Sequence, residues 1–239
     1  MKTLFYRLLA VIFSLFLIFV LLITSFEAVC YWNPGYYEAE FEKYDVLDSL
    51  QEWRGETMSM DDLTAVMHQT MVYLRGDREN LIVETEINGR EAEFYNENEK
   101  SHMADVRVLF VTSVTLRALA VLAILAIFGL LLILEHGRAL YWLGRGFLRV
   151  CLAIGILSAL FGLLAATDFT KYFTLFHELF FSQGNWMFDP RESRMINMLP
   201  EGFFSDTVLR ILLTFLGSIV VLLIPAGIFT KFAKNWGYK

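Results

Sequence analysis

A chain of 239 residues that is 56% hydrophobic, with 22 Phe and a mean hydropathy of +0.49, is too apolar for a soluble domain of its length, for which about 45–50% is usual. The formal net charge is −6, and no basic cluster suited to releasing the counterions of a nucleic acid stands in the long acidic loop, so that class of partner is excluded. The two cysteines, Cys30 and Cys151, fall near opposite membrane faces in the topology derived below, which excludes a disulfide or thiolate–metal framework.

Residues 1–30 predict a first transmembrane helix, with its apolar run near Leu8–Val29. The run follows Lys2 and Arg7, as a signal peptide would, but at about 20 residues it is longer than the roughly 7–15 of a signal core, and no A-x-A site follows. Glu27 and Val29 suit a lipoprotein-type cleavage box poorly, so the helix is read as retained. Residues 31–106 follow as a long loop whose positions 31–105 carry 18 acidic against 6 basic side chains. Within it, Ser59 and Asp62 form a capping-box-like start. Leu63, Val66, Met67, Thr70, Met71 and Leu74 keep helical spacing, and Gly76 is a stop. Val83, Thr85 and Ile87 then alternate with charges, Asn88-Gly89 supplies a type I′ hairpin pair, and Ala92 and Phe94 continue beyond it.

Residues 107–134 predict a second span, 135–149 a connection, 150–166 a third span, 167–206 a second long loop, 207–230 a fourth span and 231–239 a tail. Each apolar run approaches the roughly 20 residues that a hydrocarbon core of about 30 Å requires. The 167–206 loop is dense in aromatic residues and punctuated by Gly184, Pro190 and Pro200. It reads either as an interfacial belt or as a lip admitting a lipid from the bilayer. Lys2 and Arg7, then Arg138, Arg145 and Arg149, then Lys231, Lys234 and Lys239 fall on one side of four spans. The positive-inside rule makes that side cytoplasmic, leaving 31–106 and 167–206 outside. The expected fold is mainly α: an integral membrane four-helix bundle with a small α/β extracellular cap.

Of the four histidines, His68 falls inside the cap helix and reads as structural or exposed, and His136 stands where it meets the last carbonyls of a helix. His102 and His177 differ, because the topology puts both at the outer membrane surface, one before the second span and the other after the third. At about 100° per residue, Asp105 lies some 60° from His102, while Ser113 and Arg117 continue the stripe inward. Asp105 reads equally as an acid meeting the helix dipole or as an orienter of an imidazole. Arg117 is too deep to face lipid. It either pairs with a carboxylate such as Asp105, Asp168 or Asp206 to fix packing, or holds a polar headgroup or carbonyl oxygen. Paired imidazoles suit acyl transfer between oxygen and nitrogen by acid–base catalysis. No G-x-S-x-G, H-E-x-x-H or Walker loop is present.

"EKSHMADVR" before the second span, with "FHELFFSQGNWMFDP" and "MLPEGFFSD" before the last, resembles the lipoprotein intramolecular transacylase family of four-span bacterial membrane proteins. The resemblance covers the whole chain in span number and loop order, with its specific part at about 99–107 and 175–206. It implies an acyltransferase of the bacterial plasma membrane, with both termini cytoplasmic and its active site outside. The implied reaction moves the sn-2 acyl chain of a diacylglyceryl lipoprotein to the α-amine of its N-terminal cysteine, giving the lyso form without a cofactor. His102 and His177 match the catalytic positions, with Asp105, Trp186 and Asp189 in support; which histidine is base and which acid stays open. The partners expected are the lipoprotein substrate and membrane lipid. Two other readings stand beside this one: a metal-dependent membrane hydrolase built on His102, Asp105 and His177, and a non-enzymatic membrane binding or sensor protein.

Overall fold

The computed structural model describes residues 2–181, 184 and 186–233; Lys234 and Lys239 of the expected basic tail lie outside the described residues. The chain forms α1 (Lys2–Tyr31), α2 (Tyr36–Lys43), α3 (Val46–Arg54), α4 (Met60–Arg75), β1 (Glu84–Ile87), β2 (Arg90–Glu93), α5 (Glu97–Glu135), α6 (Ala139–Thr167), α7 (Phe169–Phe180), α8 (Arg194–Met198) and α9 (Glu201–Phe232). It is therefore mainly helical with one small antiparallel sheet. The backbone divides into two compact units.

The first unit comprises Met1–Ala28, Val114–Ala166 and Leu209–Lys239. Three helical stretches, Lys2–Tyr31, Glu97–Thr167 and Glu201–Phe232, are long and apolar enough to cross a membrane. Only 22, 11 and 17% of their most apolar windows is buried within the protein, so these surfaces need hydrocarbon as solvent. Small residues set the closest approaches. A Cβ on Gly146 would stand 2.6 Å from the carbonyl oxygen of Ala10, and one on Gly144 2.7 Å from that of Ala226. Hence α6 packs directly against the backbones of α1 and α9. The expected 135–149 connection is mostly helix. A single 3₁₀ turn, His136–Arg138, joins α5 to α6, and His136 takes a left-handed φ of 49°. Arg145 and Arg149 thus stand on a helix rather than in a loop.

The second unit comprises Val29–Ser113 and Thr167–Val208. Ser59 accepts a hydrogen bond from the Asp62 amide at 3.0 Å and opens α4, and Gly76, at φ 94°, closes it. The strands pair from Glu84 opposite Glu93 to Ile87 opposite Arg90, with Asn88 and Gly89 both at positive φ as a two-residue I′ turn requires. Phe41, Leu50, Leu63, Val66, Val83 and Phe94 are fully buried and form the centre of this unit. Beside them, Glu56 accepts from both Arg54 and Arg194. Burial pushes its carboxyl up, but hydrogen bonds and charge from the two guanidinium groups outweigh that and hold it at about 2.

Candidate active site

The two histidines singled out by sequence meet in the second unit. His102 stands in the second turn of α5, before the apolar part of that helix, and is only 7% exposed. Its position is fixed from one turn upstream. Asn96 and Glu99 bond reciprocally, the Asn96 side chain accepting from the Glu99 amide at 2.9 Å and the Glu99 carboxylate accepting from the Asn96 amide at 2.7 Å. The other Glu99 oxygen accepts from the Ser193 hydroxyl at 2.5 Å and from the Met195 amide at 2.9 Å, tying α8 to the start of α5.

His177 lies in the last turn of α7, whose first turn is capped by Asp168 accepting from the Lys171 amide at 3.0 Å. The His177 ring is 9% exposed and stacks on His102, with centroids 6.1 Å apart and planes 23° from parallel. Around the pair stand Phe181, 4.8 Å from His102 and 5.3 Å from His177, Phe188 at 5.6 Å from His102, Phe173 at 4.1 Å from His177, and Trp186 at 4.9 Å from His177. Two imidazoles thus share an aromatic surround.

That surround sets their protonation. Burial holds both imidazoles below their ordinary pKa. His102 falls to about 4 through burial and then through the nearby His177, with Asp105 opposing both. His177 is lowered by burial against an opposing hydrogen bond to the Phe173 carbonyl. Both rings are therefore neutral near pH 7. A carbonyl oxygen only accepts, so the 2.8 Å contact between Nδ1 of His177 and the Phe173 oxygen places a hydrogen on Nδ1 and the lone pair on Nε2. Nδ1 of His102 is buried without a hydrogen-bond partner, a polar atom in want of a ligand.

The remaining expected residues divide. Asp105 acts electrostatically on His102, and Trp186 packs on His177. Asp189 accepts from the Arg191 amide at 2.8 Å and its carbonyl receives the Glu192 and Ser193 amides, so its visible work is to shape the turn into α8. Arg117 meets a carboxylate that sequence reasoning did not name: it pairs with Glu27, in the last turns of α1. Asp168 caps α7, and Asp206 is taken by Lys43 and by the Tyr44 hydroxyl. Arg117 and Glu27 belong to the first unit, and His102 and His177 to the second. Sequence reasoning missed Phe173, Phe181, Phe188 and Glu99. The repeat of aromatic rings at Phe169, Phe173, His177 and Phe181, four residues apart, was the available signal for the first two. Among the described residues, no group of three His, Cys, Asp or Glu side chains is placed to hold a metal ion.

The family model for the lipoprotein intramolecular transacylase Lit matches residues 11–204. Comparison with curated protein sequences finds no match. Among solved structures, the fold is similar to the membrane integral lipoprotein intramolecular transacylase Lit from Bacillus cereus in meso, with a TM-score of 0.72 and 23% identity over 95% of this chain and 96% of that one. Two further structures of that protein, carrying a histidine replaced by arginine or by alanine, give TM-scores of 0.70 and 0.69 at 22% and 21% identity. They cover 96% and 98% of this chain and 94% and 96% of theirs.

Proposed function

The chain belongs to the lipoprotein intramolecular transacylase family and is a membrane acyltransferase, and from that premise we propose how His102 and His177 carry its reaction. The substrate is a diacylglyceryl lipoprotein, and the sn-2 acyl chain moves to the α-amine of the lipoprotein's own N-terminal cysteine. The neutral amine attacks the ester carbonyl, and as the N–C bond forms the lone pair on Nε2 of His177 takes the proton that the nitrogen sheds, while a neutral His102 donates its N–H to the oxyanion that develops. Collapse breaks the ester C–O bond, and the proton held by His177 passes to the departing glyceryl oxygen. One N–C bond forms, one C–O bond breaks, and one proton travels from nitrogen to oxygen.

The observation that carries this assignment is the Nδ1–H of His177 bonded to the Phe173 carbonyl, which leaves the basic nitrogen free. An α-amine of pKa near 8 is mostly an ammonium at neutral pH, but the burial that lowers both imidazoles disfavours an ammonium equally. Donor and acceptor belong to one molecule, so the site's chief task is to fold the substrate back on itself through a medium-sized ring.

Four spans support an exported site. The helical stretch Glu97–Thr167 has 71 residues and would measure about 105 Å if straight, against a hydrocarbon core of about 30 Å. The turn at His136–Arg138 divides it into spans at 107–134 and 150–166, with Arg138, Arg145 and Arg149 inside the cell. The second unit then faces outward as a cap. On α7, Leu175 and Leu179 are 55 and 73% exposed, opposite a buried His177. Such a helix lies in the headgroup plane and delivers acyl chains sideways.

Mass spectrometry of lipoprotein N-termini, from cells making diacyl lipoprotein with and without the protein, tests the reaction. The expected result is an acyl chain moved from glycerol to nitrogen; no movement overturns it. His102→Ala and His177→Ala each reduce turnover by about 10²–10⁴ if the rings act as proposed.

A further inference from the structure

We propose that the first unit carries a second ligand site, built from Arg7, Arg145 and Arg149, that binds the phosphate of an anionic phospholipid of the inner leaflet. The three guanidinium groups line one cavity of about 80 Å³ where α1 meets α6. Its floor is the contact of Gly146 with Ala10, where a Cβ would come within 2.6 Å of a carbonyl oxygen, so the helices there are as close as they can be. Tyr141 and Trp142 form the wall, and the Tyr141 hydroxyl accepts from Arg145 at 2.9 Å, fixing the direction of that side chain.

The charge balance identifies the missing partner. The first unit contains two side-chain carboxylates, Glu27 and Glu135, in all of its residues. Glu27 is taken by Arg117. Glu135 accepts from the Trp142 indole at 3.0 Å and faces Arg138 at 3.9 Å. No side-chain carboxylate of the unit is left for Arg7, Arg145 and Arg149, and three cations around one small cavity repel one another until an anion enters. About 80 Å³ open to the centres of water-sized spheres exceeds the roughly 10–15 Å³ that one water needs and leaves room for a group of phosphate size. Guanidinium forks match phosphate oxygens in pairs. Exposed faces of α1 and α6 lead away from the cavity, with Leu4, Leu8, Leu152 and Ile156 at 62, 53, 68 and 62% exposure, apolar surface on which acyl chains can lie. A basic pocket between spans on the inner side is where anionic headgroups are expected. The leaflet rests on the orientation proposed above; the site itself does not.

Native mass spectrometry of the full-length protein in detergent tests the site, with phosphatidylglycerol or phosphatidylcholine of identical acyl chains added. The expected result is a retained phosphatidylglycerol on the wild-type protein under activation that strips phosphatidylcholine, and a several-fold lower occupancy in the Arg7→Gln/Arg149→Gln variant. The Arg7→Lys/Arg149→Lys variant should be intermediate, and it replaces the glutamine variant if that one does not fold. Lys231→Gln, also basic but outside the cavity, should retain the lipid. Equal retention of both lipids, undiminished binding in every arginine variant, or displacement by inorganic phosphate at lipid-free concentrations would each overturn the proposal. Labelling of Thr3→Cys, in a chain whose Cys30 and Cys151 are replaced by serine, in intact cells by a membrane-impermeant thiol reagent reports separately on orientation. A labelled Cys would overturn the inner-leaflet placement while leaving the detergent result to stand.

Discussion

An imidazole buried among phenyl rings resists its own protonation, and that resistance fixes when the two histidines can work. Both have pKa values below the ordinary value near 6.5, so the acid limb of kcat/KM should lie below that pH. Asp105 alone raises the value of His102 among the influences on it, so Asp105→Asn should lower it further and move a His102-controlled limb to lower pH, with the plateau kept. A pH–rate profile that superimposes on wild type would leave Asp105 with only the helix-dipole role. The same shifts act on stability. The unfolded chain takes up protons that the folded pair refuses, so their contribution is complete above pH about 6.5 and is lost as pH falls toward about 4. The double His102→Ala/His177→Ala variant should be no slower than the worse single variant, because the rings act as a unit on one tetrahedral transition state. A product of the two single effects would mean they serve independent steps. At this scale the sequence disclosed the residue types but not their partners. Arg117 shows why: its carboxylate, Glu27, lies ninety positions away in chain order, and spacing along one helix cannot see across to another.

Elements differed in how much of themselves the sequence revealed. Ser59 and Gly76 mark the ends of α4 and Asn88-Gly89 the turn between β1 and β2, because caps and I′ turns depend on a few residues at fixed positions. By contrast, α7 was hidden. Its Phe-rich run reads as an interfacial belt, and only the four-residue recurrence of rings that ends at Phe181 betrays a helix. Glu99 was hidden as well, since nothing local distinguishes a buried acid bridging α5 and α8 from the many acids around it. It is 1% exposed and holds both its own helix start and the segment that follows Phe188. Glu99→Ala should therefore destabilise the protein by about 2–4 kcal/mol, from the lost cap and the donors left unpaired. Thermal unfolding reads the loss, and Glu99→Gln, which keeps one acceptor, should recover part of it. Unchanged unfolding in Glu99→Ala would show that the α5–α8 tie is dispensable.

The whole molecule is a pair of units with opposite chemistries, one nearly free of carboxylates and the other rich in them. Composition and charge placement displayed that division clearly, because membrane solvent and the positive-inside rule act on whole segments. The Arg117–Glu27 pair lies inside the apolar unit. If its role is to hold helices together, Arg117→Ala should cost about 3–5 kcal/mol by stranding a charge, whereas Arg117→Met with Glu27→Leu should return close to wild-type stability and activity. Unfolding in detergent and turnover in the same preparation decide it. A stable double variant without activity would instead assign Arg117 to substrate.

One hydrogen bond described above has a wider meaning. The Phe173 carbonyl that orients His177 lies one helical turn earlier in α7, so the tautomer of the proposed base is written into the winding of that helix. A helix of 12 residues is too short to persist in water unaided, and Leu175, Phe176, Leu179 and Phe180 are among its exposed side chains. On the proposed function a lipid surface would complete it, and basicity at Nε2 would then depend on the medium: where the coil is wound the lone pair points one way, and where the turn frays the imidazole exchanges tautomers. The membrane would thereby activate the enzyme it contains, through the pitch of one short helix.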